Sequence, residues 1–244
     1  MHKLVGGPLP AWMPAVGGAA TILMLMPVIA VAINHHITTR GKRGLVEHSP
    51  TFRCTVFGAV AYTILNLMAA LYCFFPVTKL TQLTQASVAF QIMAVYAFFS
   101  MTMFGAIYFI VPRLVGREWR NGTLINFHFW FSVYGIVALV GTYLLAGINS
   151  SVGANVWDAD FSIAVTQSAN FLRGTSVAWA FVIVANAVFL YHLFLLVAGF
   201  GRKGTEPTML GHHDDPEHAH AHTPGGVVPA FQTDSSLPEV SPHA

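Results

Sequence analysis

Apolar residues along this chain come in long runs rather than in the alternation of a half-buried strand. Five runs stand out: Trp12–Ile37, Phe52–Phe75, Ala86–Val111, Phe127–Ile148 and Phe171–Phe200. Each reaches the roughly 20 residues a helix needs to cross the hydrocarbon core of a bilayer. None alternates strictly, which excludes the strands of about 10 residues that build an outer-membrane barrel. The pattern predicts an all-α fold, a polytopic membrane bundle with five transmembrane helices over residues 1–203. The first run lacks a basic start, a short apolar core and a small-residue cleavage site, so it is expected to be a retained helix. The connecting segments are short, except for an expected outer loop, Asn149–Asn170, which carries Trp157, Asp158 and Asp160. From residue 204 to 244 the composition turns to Pro, Gly, Ser, His and acids. That stretch is expected to be a disordered cytoplasmic tail, because it has too little apolar surface to bury.

Composition sharpens this. The chain is 55% hydrophobic and 9% charged, against roughly a quarter charged in soluble proteins. A net charge of +2 gives no surface for nucleic acid. The two cysteines, Cys54 and Cys73, lie inside apolar runs and offer neither a disulfide framework nor a Cys-rich metal site. Nine of the twelve basic residues fall in the first and third connections and after the fifth run; Lys3, Lys79 and Arg173 fall opposite. By the positive-inside rule the N-terminus is expected outside and the C-terminus in the cytoplasm.

All ten acids lie in connections or in the tail, and no lysine lies mid-membrane. Proton- and cation-driven carriers place ionisable groups at membrane depth, so that class is disfavoured. The intramembrane imidazoles are His128 and His192, with His35 and His36 at the end of the first run. Each can be a haem or metal ligand; the preferred reading is a packing residue bonded to a neighbouring backbone or hydroxyl group, most of all for the His35–His36 pair at the headgroup level. Arg173 can snorkel to water or clamp an anion such as a haem propionate. In the tail, His212, His213, His218, His220 and His222 with nearby acids form a flexible cluster suited to loose chelation of a divalent metal. The competing reading of that cluster is a solvated low-complexity segment.

Several stretches, taken in order, resemble the C-terminal half of the catalytic subunit of the haem–copper oxidases, in its cbb-type branch. They are Ser49–Thr63 (SPTFRCTVFGAVAYT), Met103–Arg117 (MFGAIYFIVPRLVGR), Asn126–Trp130 (NFHFW) with Gly135 and Ala146–Ile148, and Arg173. The resemblance covers roughly residues 10–200 and implies that the five spans correspond to helices eight to twelve of that subunit I. Nitric oxide reductase large subunits share the fold. The family's tenth helix reads approximately THFTHYTVxHxHLGVY, and its His-x-His pair implies one ligand for each of two haems. Two residues advance a helix by about 200°, so such a pair faces both ways. This chain reads TQLTQASVAFQIMAVY over Thr81–Tyr96. Phe90 and Ile92 stand at the two ligand positions, and neither has a lone pair to give to iron. The remaining ligands implied by the family lie in earlier helices without a counterpart here.

The resemblance therefore implies a haem-ligand-less relative: a membrane subunit of a respiratory electron-transfer complex that binds no cofactor itself. Haem would reside in partner subunits, and the partners would be other membrane subunits, c-type or b-type cytochromes, and lipid. Two alternatives stay open. One is half of a split oxidase or nitric oxide reductase completed by another chain, in which His128 and Arg173 would contact a retained haem. The other is a metal-handling membrane protein that uses its His-rich tail. The setting implied is a bacterial cytoplasmic membrane.

Overall fold

A computed structural model describes residues 9–82, 84–156, 160–204 and 210. Leu83, residues 157–159 and 205–209, and the segment from residue 211 onward, with all five tail histidines, lie outside the described residues. The fold is helical, and five of its helical stretches are long and apolar enough to span a membrane: Trp12–Thr39, Pro50–Leu71, Ala86–Val115, Gly122–Gly153 and Val165–Phe200. The expected all-α membrane bundle is therefore observed. Among the described residues the only extended pairing joins two-residue strands, β1 (Arg117–Glu118) and β2 (Arg202–Lys203), antiparallel.

The first span is two helices, α1 (Trp12–Leu23) and α2 (Leu25–Thr39), interrupted at Met24. Pro27 has no N–H to give to the Leu23 carbonyl, so the ladder breaks one turn before it. A short helix, α3 (Arg43–His48), leads into α4 (Pro50–Leu71). Ser49 caps α4 by accepting the Phe52 N–H at 3.4 Å, with Pro50 in the first turn, where its missing donor costs nothing. The sequence expectation carried this span to Phe75. The chain instead leaves the helix after Leu71 and starts a short α5 (Phe75–Thr81), opened by Pro76.

The third span begins as α6 (Ala86–Ile92), widens into a π-helical segment over Met93–Ser100 and continues as α7 (Met101–Val115). The Ser100 hydroxyl donates to the Val95 carbonyl five residues back, at 2.9 Å. Gly116 ends α7 with φ +67°, the left-handed cap that glycine adopts without a Cβ penalty.

The largest departure from expectation is the outer loop Asn149–Asn170. Helix α8 runs Gly122–Val156 and α9 runs Phe161–Leu195, 35 residues each. That is about 52 Å of helix, against a hydrocarbon core of about 30 Å. Nearly all of the expected loop is helical; Trp157 and Asp158 fall outside the described residues. Hydropathy marks where a helix is apolar, not where it stops. Asn149 and Ser150 bond back to Leu145 and Gly147 of their own helix at 3.0 Å, which satisfies their polar groups without ending it.

The spans meet through small residues, as expected where no water drives helices together. A Cβ built on Gly105 would lie 3.1 Å from the Thr51 carbonyl, and one on Gly135 would lie 2.7 Å from Val182. Gly147 lies directly against the Ala86 backbone, so α8 and the start of α6 leave no room for a side chain between them.

Candidate functional site

The two positions where the family resemblance implies iron ligands, Phe90 and Ile92, face two environments. Phe90 is half-buried and tilted against Tyr72, with ring centroids 5.9 Å apart. It lines a groove between the first three spans whose other walls include Ala20, Met24, Leu65 and Asn66. Two polar groups on that groove bond back to their own helices: Asn66 donates to Tyr62 O at 2.8 Å and Thr21 to Gly17 O at 2.8 Å. Ile92 points into the protein and is 4% exposed within the main apolar core. Both side chains are packed and neither has an electron pair for a metal, so residues 90 and 92 do not fit haem iron. Among the described residues, no three His, Cys, Asp or Glu side chains converge as a metal site.

The polar chemistry of the bundle concentrates where α7, α8 and α9 meet the β1 connection. His128 is fully buried near the start of α8, and its Nδ1 pairs with the Tyr108 hydroxyl at 2.8 Å. Phe104 and Phe189 close around the imidazole at 4.6 and 4.9 Å between ring centroids. Trp119, brought in by the connection, donates its indole N–H to the Tyr108 carbonyl at 3.1 Å and packs edge-on against that ring. The far side of Trp119 meets His192 at 4.9 Å. His192 Nε2 accepts the Asn121 backbone N–H at 3.4 Å, which leaves the proton of a neutral ring on Nδ1. His128 Nε2 and His192 Nδ1 are buried without a protein partner. One knot of aromatic and imidazole rings thus joins residues from three helices and a connection.

A second clamp lies beside it. Arg53, in the first turn of α4, donates to Asn126 Oδ1 at 2.6 Å, to Val46 O at 3.0 Å and to Glu47 O, and its guanidinium lies 5.3 Å from the Phe129 ring centre. The stretch Asn126–Trp130 therefore serves two purposes: Asn126 and Phe129 receive Arg53, while His128 receives Tyr108. Nearby, Arg117 donates to the Gly199 carbonyl, and the Leu210 N–H and carbonyl both pair with His48 at 2.6 Å.

Sequence reasoning singled out His128 and His192 but not their partners. Tyr108 and Arg53 lie in the stretches that carry the family resemblance, but neither they nor Trp119 was assigned a partner from sequence, where Arg53 served otherwise as a topology marker. Arg173 was expected to open the fifth span. It lies inside α9 instead, exposed, with only a 3.5 Å contact to Asn170 of its own helix. The helix begins earlier than hydropathy suggested, which moves the arginine away from its end. His35 is half-buried with Nε2 unpaired, and His36 is exposed.

Known proteins share this chain's sequence over most of its length. A cytochrome c oxidase subunit 1 homolog of Agrobacterium tumefaciens (strain T37) is 26% identical over 175 residues, 70% of this chain and 32% of that protein. The cbb3-type cytochrome c oxidase subunit CcoN1 of Stutzerimonas stutzeri is 26% identical over 148 residues, 60% of this chain and 31% of the relative. Cytochrome c oxidase subunit 1 of Rhodobacter capsulatus is 25% identical over 206 residues, 81% of this chain and 38% of the relative. The chain spans about a third of the length of the curated relatives it matches. The family model for cytochrome c and quinol oxidase polypeptide I matches residues 1–182. With five membrane-crossing helices and most of its length matched in this way, the chain is a multi-pass membrane protein that belongs to the cytochrome c and quinol oxidase polypeptide I family.

Proposed function

We propose that this chain is a non-catalytic membrane subunit of a respiratory electron-transfer complex in a bacterial cytoplasmic membrane. The observation that carries the reading is the pair Phe90 and Ile92. One packs against Tyr72 and the other is buried in the core, at the turn where the family resemblance implies two histidines. Loss of the ligands with retention of the bundle is what a docking or scaffolding role permits. Its exposed apolar faces, such as Leu114 and Met26, then meet lipid or neighbouring subunits, and haem resides in those neighbours. In this reading His128 serves to lock α7 to α8, and Arg173 serves to reach the interfacial water. The N-terminus faces outward, as the distribution of basic residues directs. The cluster His212, His213, His218, His220 and His222 is a peripheral chelating tail at most, outside the working part of the chain.

The test is purification of the tagged full chain from native membranes in mild detergent, with mass spectrometry of its partners and a pyridine haemochrome spectrum. Stoichiometric membrane subunits with cytochromes, and no haem on the isolated chain, are expected. Haem iron ligated by a residue of this chain would overturn the reading. The alternative reading is one half of a split haem–copper oxidase or nitric oxide reductase. It requires a co-purifying chain with the missing helices and its own histidine set.

A further inference from the structure

Between the third, fourth and fifth spans lies a cavity of about 40 Å³, lined by Tyr96, Ser100, Ser132 and Asn186 together with apolar neighbours including Met101 and Val182. Four polar side chains around one small volume are unusual within a bundle this apolar, and one of them lacks a protein partner. Ser132 is 3% exposed, and its Oγ has no hydrogen-bond partner within the protein. Other hydroxyls of the spans turn back onto their own helices: Thr102 to Phe98 O, Thr142 to Ala138 O, Ser168 to Val165 O and Thr175 to Leu172 O. That back-bond is the ordinary refuge of a hydroxyl in a membrane helix. Among the buried hydroxyl oxygens of the described residues, Ser132 Oγ alone has no hydrogen-bond partner, and the residue lines the cavity.

The other polar groups keep capacity to spare. Ser100 spends its proton on Val95 O, leaving oxygen lone pairs for an incoming donor. Asn186 uses one N–H on Val182 O and retains its carbonyl and a second N–H. The Tyr96 ring is held edge-on against Trp179 at 5.4 Å, which fixes where its hydroxyl sits. Tyr96 and Ser100 both belong to the π-helical segment, a geometry that recurs at sites where a helix makes room for something other than its own ladder. A void that stays dry is lined by apolar groups, whereas a polar one of roughly this volume holds water with two to four partners.

We propose that this cavity is a structural water site, holding one or two water molecules that bridge Ser132 Oγ, Asn186 and the π-helical turn at Tyr96 and Ser100. The water supplies the hydrogen bond that Ser132 lacks and ties three spans together at a point where direct side-chain contact falls short.

Water-edited solid-state NMR on the full chain in lipid nanodiscs tests it, with label in serine, asparagine, leucine and alanine. Polarisation transfer from water to Ser132 Cβ and to the Asn186 side-chain amide is expected, with none to Leu139 or Ala185, both fully buried. Ser132→Val fills the cavity and is expected to abolish transfer to Asn186. Absence of transfer in the unmodified chain, or its persistence in Ser132→Val, would overturn the proposal. Should that variant fail to fold, the melting of Ser132→Ala decides. A hydrated site loses a partner and melts lower. An unchanged or raised Tm means the hydroxyl was dry and unpaired, which also overturns the proposal.

Discussion

The Tyr108–His128 pair offers a measurable test of how this bundle holds its polar groups. Tyr108→Phe removes one oxygen and nothing else from a ring that is 3% exposed. It leaves His128 Nδ1 without its 2.8 Å partner, and Nε2 is already unpaired. Removing one partner of a buried hydrogen bond costs roughly 1–3 kcal/mol. Interhelical bonds in membranes average about 0.6 kcal/mol with a maximum near 1.7, because the unfolded chain also finds partners there. The lower range applies here, so a loss of about 0.6–1.7 kcal/mol is expected for Tyr108→Phe. His128→Leu costs more. It strands the tyrosine hydroxyl and gives up ring contacts with Phe104 and Phe189, worth roughly 0.5–1.5 kcal/mol each. The double variant carries no stranded atom at this bond, and its loss falls short of the summed single losses by about 1 kcal/mol. The assay is reversible unfolding from lipid–detergent mixtures into SDS, followed by tryptophan fluorescence, to which Trp119 on Tyr108 is a local reporter. Strict additivity, with coupling below a few tenths of a kcal/mol, would show that the pair contributes no bond and would refute the reasoning.

Three further outcomes are expected. Gly147→Val places a branched side chain onto the Ala86 backbone and exceeds the roughly 1–3 kcal/mol of ordinary overpacking, because backbone cannot yield as a side chain can. Folded yield in detergent should collapse, while Gly141→Ala, with nothing within 4 Å, should behave as the parent. Arg53→Lys cannot reproduce a planar fork that reaches Asn126, Val46 and Glu47 together, so hydrogen exchange in α3 and at the start of α4 should rise several-fold; unchanged protection would remove Arg53 from the account. Phe90→His combined with Ile92→His should not yield dioxygen reduction in an oxygen-electrode assay of the isolated chain, and activity from that variant alone would contradict the proposed non-catalytic role.

Several features of the chain followed from sequence because they rest on local chemistry. Hydrocarbon leaves a backbone few ways to satisfy its hydrogen bonds, so five long apolar runs without strand alternation read as five helical spans. The resemblance carried by Ser49–Thr63, Met103–Arg117 and Asn126–Trp130 agreed with the family match. Phe90 and Ile92 could be read directly as residues without a donor for iron.

What sequence could not reach depends on which helices touch. The extension of α8 and α9 through the expected loop comes from two long helices packing along each other and from side chains that bond back to their own helix, and hydropathy is blind to both. Arg53 looked like a topology marker until Asn126 and Phe129, far away in the chain, were brought beside it. Tyr108 and Trp119 were unremarked aromatics until tertiary contact placed a hydroxyl on His128 and an indole over His192. Ser132 had no signal at all, since a serine in a span ordinarily bonds to its own helix and only the cavity reveals that this one does not. Partition into the bilayer is a property each segment carries in its own composition. Partnership between polar atoms is decided by packing, where atoms distant in the chain settle which group is satisfied and which is left over.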